Sequence, residues 1–209
     1  MKALGPDPIE EIVRLAGRDV RVLRPRDGES LLSEEAFEQE EFLPYWADLW
    51  PSARVLAAAV AARALRGART LELGCGLGLP SIAAALAGGR VLATDWAPDA
   101  VAAAAHNAAL NDVDFETAVV SWQRPEAIVA RAPWDLVIGA DLLYERRNVG
   151  QLLKLLPRLV DHRGEVWIAD PGRRAAEAFV AGAEAEWERR EQRDPTFPSV
   201  TLFRMRLLA

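Results

Sequence analysis

Apolar and polar positions follow one another along the 209-residue chain in blocks of strand length and of helix length. From Pro51 onward, short runs rich in leucine, isoleucine and valine are separated by longer blocks with helical spacing. The pattern predicts helices over residues 51–65, 80–87, 98–110, 126–130, 148–160 and 173–185, and strands over residues 69–73, 90–94, 115–120, 135–139 and 164–169. Strands that alternate with helices are typical of an α/β protein with a mostly parallel sheet and helices on both faces.

The end of the chain departs from this alternation. A strand is predicted over 199–208, and it follows the segment 187–193 without a helix between them. Parallel neighbours need a long crossover, so two adjacent segments with only a loop between them favour an antiparallel hairpin. We expect this hairpin at one edge of the sheet.

Residues 1–50 carry many charges and lack the regular alternation of strand-length and helix-length segments that begins at Pro51. They predict two short helices, at about 8–16 and 33–41, and a strand at 19–24. We interpret residues 1–50 as an N-terminal arm or cap on a domain that comprises residues 51–209, with a single domain overall.

Composition narrows the classes of function. The net charge of −6 and the pI near 5.1 argue against nucleic acid as a partner, because such binding usually needs a basic face. One cysteine, Cys75, and two histidines exclude an internal disulfide and leave no metal site to predict. The most apolar stretch, 55–65, is too short to cross a bilayer and contains Arg63, and the first residues lack a signal-peptide core. We therefore expect a cytoplasmic protein without a membrane partner.

A glycine-rich segment lies between a predicted strand and a predicted helix. It reads Glu72-Leu73-Gly74-Cys75-Gly76-Leu77-Gly78-Leu79-Pro80. Such glycines let the chain turn tightly and let a ligand approach the backbone. The dinucleotide pattern G-x-G-x-x-G would place glycine at position 79, so Leu79 disfavours a nicotinamide-dependent oxidoreductase. A purely structural turn is the alternative.

Polar and aromatic side chains follow the next two strands. Asp95 stands about 20 residues past the glycines, where an acid accepts hydrogen bonds from ribose hydroxyls; otherwise it caps the following helix. Trp96 follows it and packs on a nucleoside, or else belongs to the core or a lid. Ser121 and Trp122 follow the strand 115–120, where a flat aromatic ring would lie against adenine or would simply pack.

The strand at 135–139 leads into Asp141-Leu142-Leu143-Tyr144, an Asp-x-x-Tyr motif. Upstream stands Leu43-Pro44-Tyr45-Trp46-Ala47-Asp48-Leu49-Trp50-Pro51-Ser52-Ala53. With the glycine turn, these segments resemble the seven-β-strand protein-lysine methyltransferases of methyltransferase family 16. The resemblance is greatest to the branch that modifies the β subunit of electron-transfer flavoprotein, whose bacterial relatives are called predicted nicotinamide N-methylases. It covers about residues 40–170.

The resemblance implies a Rossmann-like, seven-stranded sheet and S-adenosylmethionine (SAM) as cofactor. It implies that Glu72 and the glycines hold the methionine part, that Asp95 binds the ribose, and that Asp141 and Tyr144 face the methyl group and its acceptor. Relatives often have an acid where Ser121 stands, so the sequence departs from the family pattern at the position that would contact adenine. The full set of implied cofactor contacts is Trp46, Trp50, Glu72, Gly74, Cys75, Gly76, Gly78, Asp95, Trp96, Ser121, Trp122 and Ala140.

Three hypotheses about the function are left open. The first is methylation of a protein lysine amine, and the second is methylation of a small molecule on nitrogen or oxygen, because the same fold serves both. The third is a non-catalytic protein that keeps the SAM-binding fold, which the intact Asp141 and Tyr144 disfavour.

Overall fold

A computed structural model describes residues 2–28 and 44–208 of the chain. The strands are β1 (Ile9–Leu15), β2 (Arg18–Arg24), β3 (Arg69–Leu73), β4 (Arg90–Asp95), β5 (Glu116–Val119), β6 (Leu136–Ala140), β7 (Glu165–Asp170), β8 (Trp187–Arg193) and β9 (Thr201–Leu207). The α-helices are α1 (Pro51–Ala61), α2 (Leu79–Leu86), α3 (Pro98–Leu110), α4 (Glu126–Val129), α5 (Arg146–Leu155) and α6 (Arg174–Ala183). Short 3₁₀ turns lie at Lys2–Leu4, Tyr45–Ala47 and Leu156–Arg158.

Seven strands form one sheet in the order β5-β4-β3-β6-β7-β9-β8. The first five in this order are parallel, and β9 runs antiparallel to both β7 and β8. The predicted α/β fold with an antiparallel hairpin at one edge is therefore confirmed. The chain proceeds outward from β3 in one direction and from β6 in the other, so the switch point lies between these two strands.

The central strands are buried on both faces. In β6, Leu136 and Ile138 point into one core with α1 and α2, whereas Val137 points into a second core with α5 and α6. Two apolar layers thus enclose the sheet, which explains why β6 is a continuous apolar run rather than an alternating one.

The N-terminal prediction over 8–16 was wrong, because this segment is strand β1 and not a helix. It pairs with β2 through a tight turn in which Ala16 and Gly17 both have positive φ, 47° and 83°. Ile12 is the reason for the wrong prediction. It is apolar but 63% exposed on the outer face, so the spacing of apolar residues in this segment matched a helical period. The strand predicted at 19–24 is confirmed as β2.

Two helices end at least four residues earlier than predicted. The helix predicted over 148–160 is α5, which starts at Arg146 and ends at Leu155. The 3₁₀ turn Leu156–Arg158 follows it directly. Pro157 lacks an N–H and cannot continue the helical ladder. The first helix ends at Ala61 rather than at residue 65, because the Arg63 N–H donates to the Val60 carbonyl (3.0 Å) and the Leu65 N–H to the Ala87 carbonyl (3.0 Å), outside the helical ladder.

Two asparagines, one in α3 and one directly after it, fasten the N-terminal hairpin to the seven-stranded sheet and its helices. The Asn107 amide accepts from the Leu23 N–H (2.8 Å) and donates to the Leu23 carbonyl (3.0 Å). Asn111 makes the same pair of bonds with Arg21, at 2.8 and 2.7 Å. Asn107, which is fully buried, also donates to the carbonyl of Leu77 in the glycine turn (3.0 Å). One side chain therefore ties the hairpin to the turn.

The apolar side of the hairpin belongs to the main core. Val13, Leu15, Val20 and Val22 are buried in the same cluster as α1 and α2. The helix predicted at 33–41 lies outside the described residues. The division of the chain at residue 50 stays a prediction.

Candidate active site

The carboxyl ends of β3, β4, β6 and β7 meet at one edge of the sheet, beside the switch point. In open α/β sheets this edge is where ligands bind. The glycine turn joins β3 to α2 here, and the segments after β4, β6 and β7 surround it. The predicted site residues therefore converge on one edge.

The glycine turn touches three parts of the chain. Gly78 precedes α2 with φ +81°, and a Cβ there would stand 2.9 Å from the Ala104 Cβ, so α2 and α3 approach more closely than a side chain allows. A Cβ on Gly76 would lie 3.3 Å from the Trp46 carbonyl oxygen. The Leu142 side chain occupies the space above Gly74. The turn thus lies between the segment before α1 and the segment after β6.

Asp95 holds this turn from the end of β4. Its two carboxylate oxygens accept from the backbone N–H groups of Gly76 and Ala97, each at 3.0 Å. The side chain is 5% exposed, and burial raises its pKa although these backbone donors oppose the rise. A carboxylate has lone pairs beyond the two used here, so it can still accept bonds from a ligand diol.

Glu72 lies beneath the turn and is almost fully buried. The Ser81 hydroxyl donates to its Oε2. Burial raises the pKa of Glu72 to about 8; the bonds from Ser81 oppose this rise and the nearby charge of Asp95 adds to it. The side chain is therefore mostly protonated at neutral pH.

Asp141 follows β6 in the left-handed region, with φ +56°. Its N–H donates to the Ala169 carbonyl at the end of β7 (2.9 Å), and its Oδ1 accepts from Arg173 Nε at 2.5 Å. The other oxygen, Oδ2, is buried and has no hydrogen-bond partner among residues 2–28 and 44–208. A buried unpaired carboxylate oxygen is costly and calls for a donor.

Three aromatic side chains, Tyr45, Trp50 and Tyr144, are connected to Asp141 through Arg173. The rings of Tyr144 and Tyr45 lie 5.8 Å apart, and the Trp50 indole N–H donates to the Tyr45 carbonyl at 2.8 Å. The guanidinium of Arg173 lies over the Trp50 ring, 5.8 Å from its centroid. Burial raises the pKa of Tyr144, so this phenol stays protonated near neutral pH. These contacts link Asp141 to Trp50 through Arg173, and Trp50 to Tyr144 through Tyr45.

The remaining predicted residues differ in how closely they approach the turn. Cys75 is buried, its N–H donates to the Thr94 carbonyl (2.9 Å), and its carbonyl accepts from the Gly78 N–H (2.8 Å), so its backbone polar groups serve the turn itself. Trp122 lies beside Gly74, and Ala140 ends β6 half-buried. Ser121 accepts a local bond from Gln123 (3.3 Å), and Trp96 is 45% exposed.

Two further residues at this edge, Asp170 and Arg173, were not predicted from the sequence. Asp170 ends β7 as Asp95 ends β4, and Arg173 follows it three positions later. The rule that carboxyl ends of strands carry the site applies equally to this strand and would have found both.

A glycine turn after the first strand of a doubly wound sheet, an acid after the second, and a C-terminal antiparallel hairpin together define a Rossmann-like methyltransferase fold. Residues 37–184 match the family described as "Lysine methyltransferase". The chain belongs to this family, which confirms the resemblance seen in the sequence. SAM is the cofactor that membership of the family implies, and the glycine turn flanked by buried acids fits a cationic ligand of this kind.

Two curated relatives carry the name electron transfer flavoprotein beta subunit lysine methyltransferase. The one from Xenopus laevis is 33% identical over 176 residues, 80% of this chain and 65% of that protein. The one from Danio rerio is 33% identical over 135 residues, 62% of this chain and 51% of that protein. The chain thus spans roughly half to two thirds of the length of these relatives.

Among solved structures, a ribosomal protein L11 methylase from Lactobacillus delbrueckii subsp. bulgaricus superposes with a TM-score of 0.59 at 23% identity. The match covers 74% of this chain and 78% of that chain. It supports the fold alone. Within the described ranges, no helix has the length and apolar character needed to cross a membrane.

The protonation of Glu72 leads to a prediction about cofactor binding. If the cationic methionine end of SAM lies near Glu72, binding lowers the pKa of this carboxyl from about 8 and expels its proton. We expect release of about one proton per SAM at pH 7, and an affinity that rises with pH up to about 8. Calorimetric titrations in two buffers with different ionisation enthalpies measure the proton number.

Glu72→Gln has no such proton and should lose the part of the buffer dependence that comes from this carboxyl. Any proton that SAM itself exchanges is common to both proteins and cancels in the comparison. Glu184→Gln, at an exposed position after α6, is the matched control and should behave as the wild type. An identical proton number for wild type and Glu72→Gln would show that Glu72 does not respond to the cofactor.

Proposed function

We propose that the protein is a SAM-dependent methyltransferase that transfers a methyl group to a lysine amine of a protein substrate. The observation that carries this proposal is the buried, unpaired Oδ2 of Asp141 beside the glycine turn, in a chain of the lysine methyltransferase family. An unpaired buried carboxylate oxygen suits an attacking amine, which keeps an N–H and gains positive charge as the new bond forms, better than a hydroxyl or carbon nucleophile.

The proposed roles follow from position. Glu72, Cys75 and the glycines of the turn hold the methionine part of SAM, and Asp95 holds the ribose. Trp46 and Trp50 flank the cofactor from the segment before α1, and Trp96, Ser121 and Trp122 lie on the nucleoside side. Ala140 lines the floor, and Asp141 and Tyr144 face the acceptor. The arm over 1–50 and the unit over 51–209 are part of this proposal, as is a cytoplasmic location.

Chemically, SAM supplies an activated methyl group with a good leaving group. The chain has to hold the acceptor nitrogen about 3 Å from the methyl carbon and in line with the carbon–sulfur bond. A lysine amine attacks only after losing a proton from an ammonium with an ordinary pKa near 10.4. Asp141 Oδ2 accepts an N–H of the acceptor and so directs its lone pair, while the ring of Tyr144 forms part of the wall.

The test uses SAM with a labelled methyl group. Purified protein is incubated with a lysate of its host, macromolecules are separated from small metabolites, and both fractions are counted. We expect label in a protein band, with the lysine identified by mass spectrometry. The flavoprotein β subunit named for the two relatives is the first band to examine.

Label confined to the small-molecule fraction would replace the protein acceptor by a small-molecule one. Absence of label in both fractions, with SAM still bound, would support the non-catalytic alternative. A sample without the purified protein measures methylation by the enzymes of the lysate itself.

A further inference from the structure

The segment after β7 mirrors the segment after β6. Ala140 and Ala169 are partners in the parallel register, so Asp141 and Asp170 stand side by side at the edge of the sheet. Asp170 is 1% exposed, and its pKa is raised by burial and by the charge of Asp141. Two acids of adjacent strands thus share one buried corner.

Asp170 shapes the turn that follows it. Its Oδ1 accepts from the backbone N–H groups of Gly172 (2.8 Å) and Arg173 (2.7 Å), and Gly172 has φ +86°. This turn reverses the chain immediately before α6. The side chain of Arg173 is therefore directed back over the corner rather than into solvent.

Arg173 is placed between Asp141 and Trp50. Its Nε donates to Asp141 Oδ1 at 2.5 Å, and its guanidinium lies over the Trp50 ring. In the described part of the chain, Asp141 Oδ2 and Asp170 Oδ2 are both buried without a hydrogen-bond partner. The carboxylates of Asp141 and Asp170 together with the guanidinium of Arg173 carry a net charge of −1. Asp141 Oδ2 can still accept a hydrogen bond.

We propose that Arg173 is a positioning residue of the acceptor site. It holds Asp141 by one oxygen so that the other meets the acceptor amine, and its charge lowers the pKa of that amine. This inference rests on the proposed function, since it concerns the amine that receives the methyl group.

A positive group beside the acceptor favours the neutral, nucleophilic amine over the ammonium. One proton leaves the acceptor ammonium for solvent, and the nitrogen lone pair then forms the bond to the methyl carbon. The carbon–sulfur bond breaks at the same time, and its electron pair stays on sulfur. Asp141 without Arg173 would instead stabilise the ammonium, which cannot attack.

The test is the pH profile of three variants. Arg173→Met removes the charge and the donor, Arg173→Gln removes the charge and keeps a donor, and Arg173→Lys keeps the charge. Arg174→Met is the matched control, because this neighbour is exposed at the start of α6. Rates of label transfer from SAM to host-lysate protein are measured from pH 6.5 to 10 at saturating SAM.

We expect Arg173→Met to lose at least about tenfold in rate at pH 7, with the rising limb of the profile moved up by about one pH unit, so that the deficit shrinks at high pH. Arg173→Gln should show the same shift, and Arg173→Lys should keep the limb near its wild-type position. Melting temperature and S-adenosylhomocysteine affinity establish that each variant is folded. Arg173→Gln decides the matter should Arg173→Met not fold.

The two proposals fail in different ways. If the wild-type protein labels no protein, the proposed function fails. If wild-type labelling is robust while the charge-removing variants lose rate equally at every pH, or lose none, the role of Arg173 is overturned and the proposed function stands.

Discussion

Replacing Asp141 by asparagine is expected to lower the rate of methyl transfer at saturating SAM by at least about 100-fold. Asparagine keeps the shape of the side chain but removes the charge that balances Arg173, and it puts an N–H₂ group at one of the two oxygen positions. At the Oδ2 position, this group would face the N–H of the substrate amine, and two hydrogen-bond donors would then meet. If it turned the other way, it would face Arg173 Nε instead.

Asparagine is a sharper probe than alanine at this position. Asp141 has φ +56°, a region that asparagine and aspartate enter more readily than other residues with side chains. Alanine would combine the loss of the carboxylate with backbone strain. Asp141→Asn should therefore keep its melting temperature within a few degrees and its S-adenosylhomocysteine affinity within about threefold.

Asp112→Asn is the matched control. Asp112 is exposed after α3 and has φ +54°, so the same chemical change is made on the same kind of backbone far from the acceptor wall. Initial rates of label transfer distinguish the two variants. Wild-type turnover in Asp141→Asn would remove Asp141 from the site.

The sequence was a good guide wherever the local pattern and the tertiary environment agree. The run Leu136–Ala140 is apolar because both faces of β6 are buried, and the glycines at 74–78 mark a turn that no other residue type fits. Asp95 and Asp141 could be predicted because one ends β4 and the other directly follows β6. The family and the fold are confirmed, whereas the roles of the individual site residues stay predictions.

The misses arise where distant parts of the chain decide the outcome. Ile12 is exposed on a hairpin whose other face is buried, so local periodicity suggested a helix. The contact of Arg173 with Asp141 joins loops 32 residues apart, and that of Asn107 with Leu23 spans 84 residues. No local pattern contains such pairings, because they depend on strand order in the finished sheet.

The second large effect concerns Asp95 and cofactor affinity. Asp95→Ala removes the acceptor of the Gly76 and Ala97 N–H groups, and it also removes the proposed acceptor of the ribose hydroxyls. The glycine turn loses its anchor, and two backbone donors lose their partner. We expect the dissociation constant for S-adenosylhomocysteine to rise by at least about 100-fold, since each charge-assisted bond contributes about 1.5–3 kcal/mol.

Asp95→Asn should not rescue binding. Both carboxylate oxygens face backbone N–H donors, so an amide N–H₂ group at either position meets a donor instead of an acceptor. Asp99→Asn, exposed in the first turn of α3, is the control and should bind normally. Calorimetric titration measures all three affinities.

The KM for SAM and the kcat distinguish the proposed role of Asp95 from that of Asp141. An Asp95 variant should raise the KM for SAM strongly while keeping much of its kcat at saturation, because its contacts serve the bound cofactor throughout the reaction. The Asp141 variant should do the reverse, with a lowered kcat and little change in the KM for SAM. An unchanged dissociation constant in Asp95→Ala would refute the ribose role and would mean that the turn keeps its shape without this carboxylate.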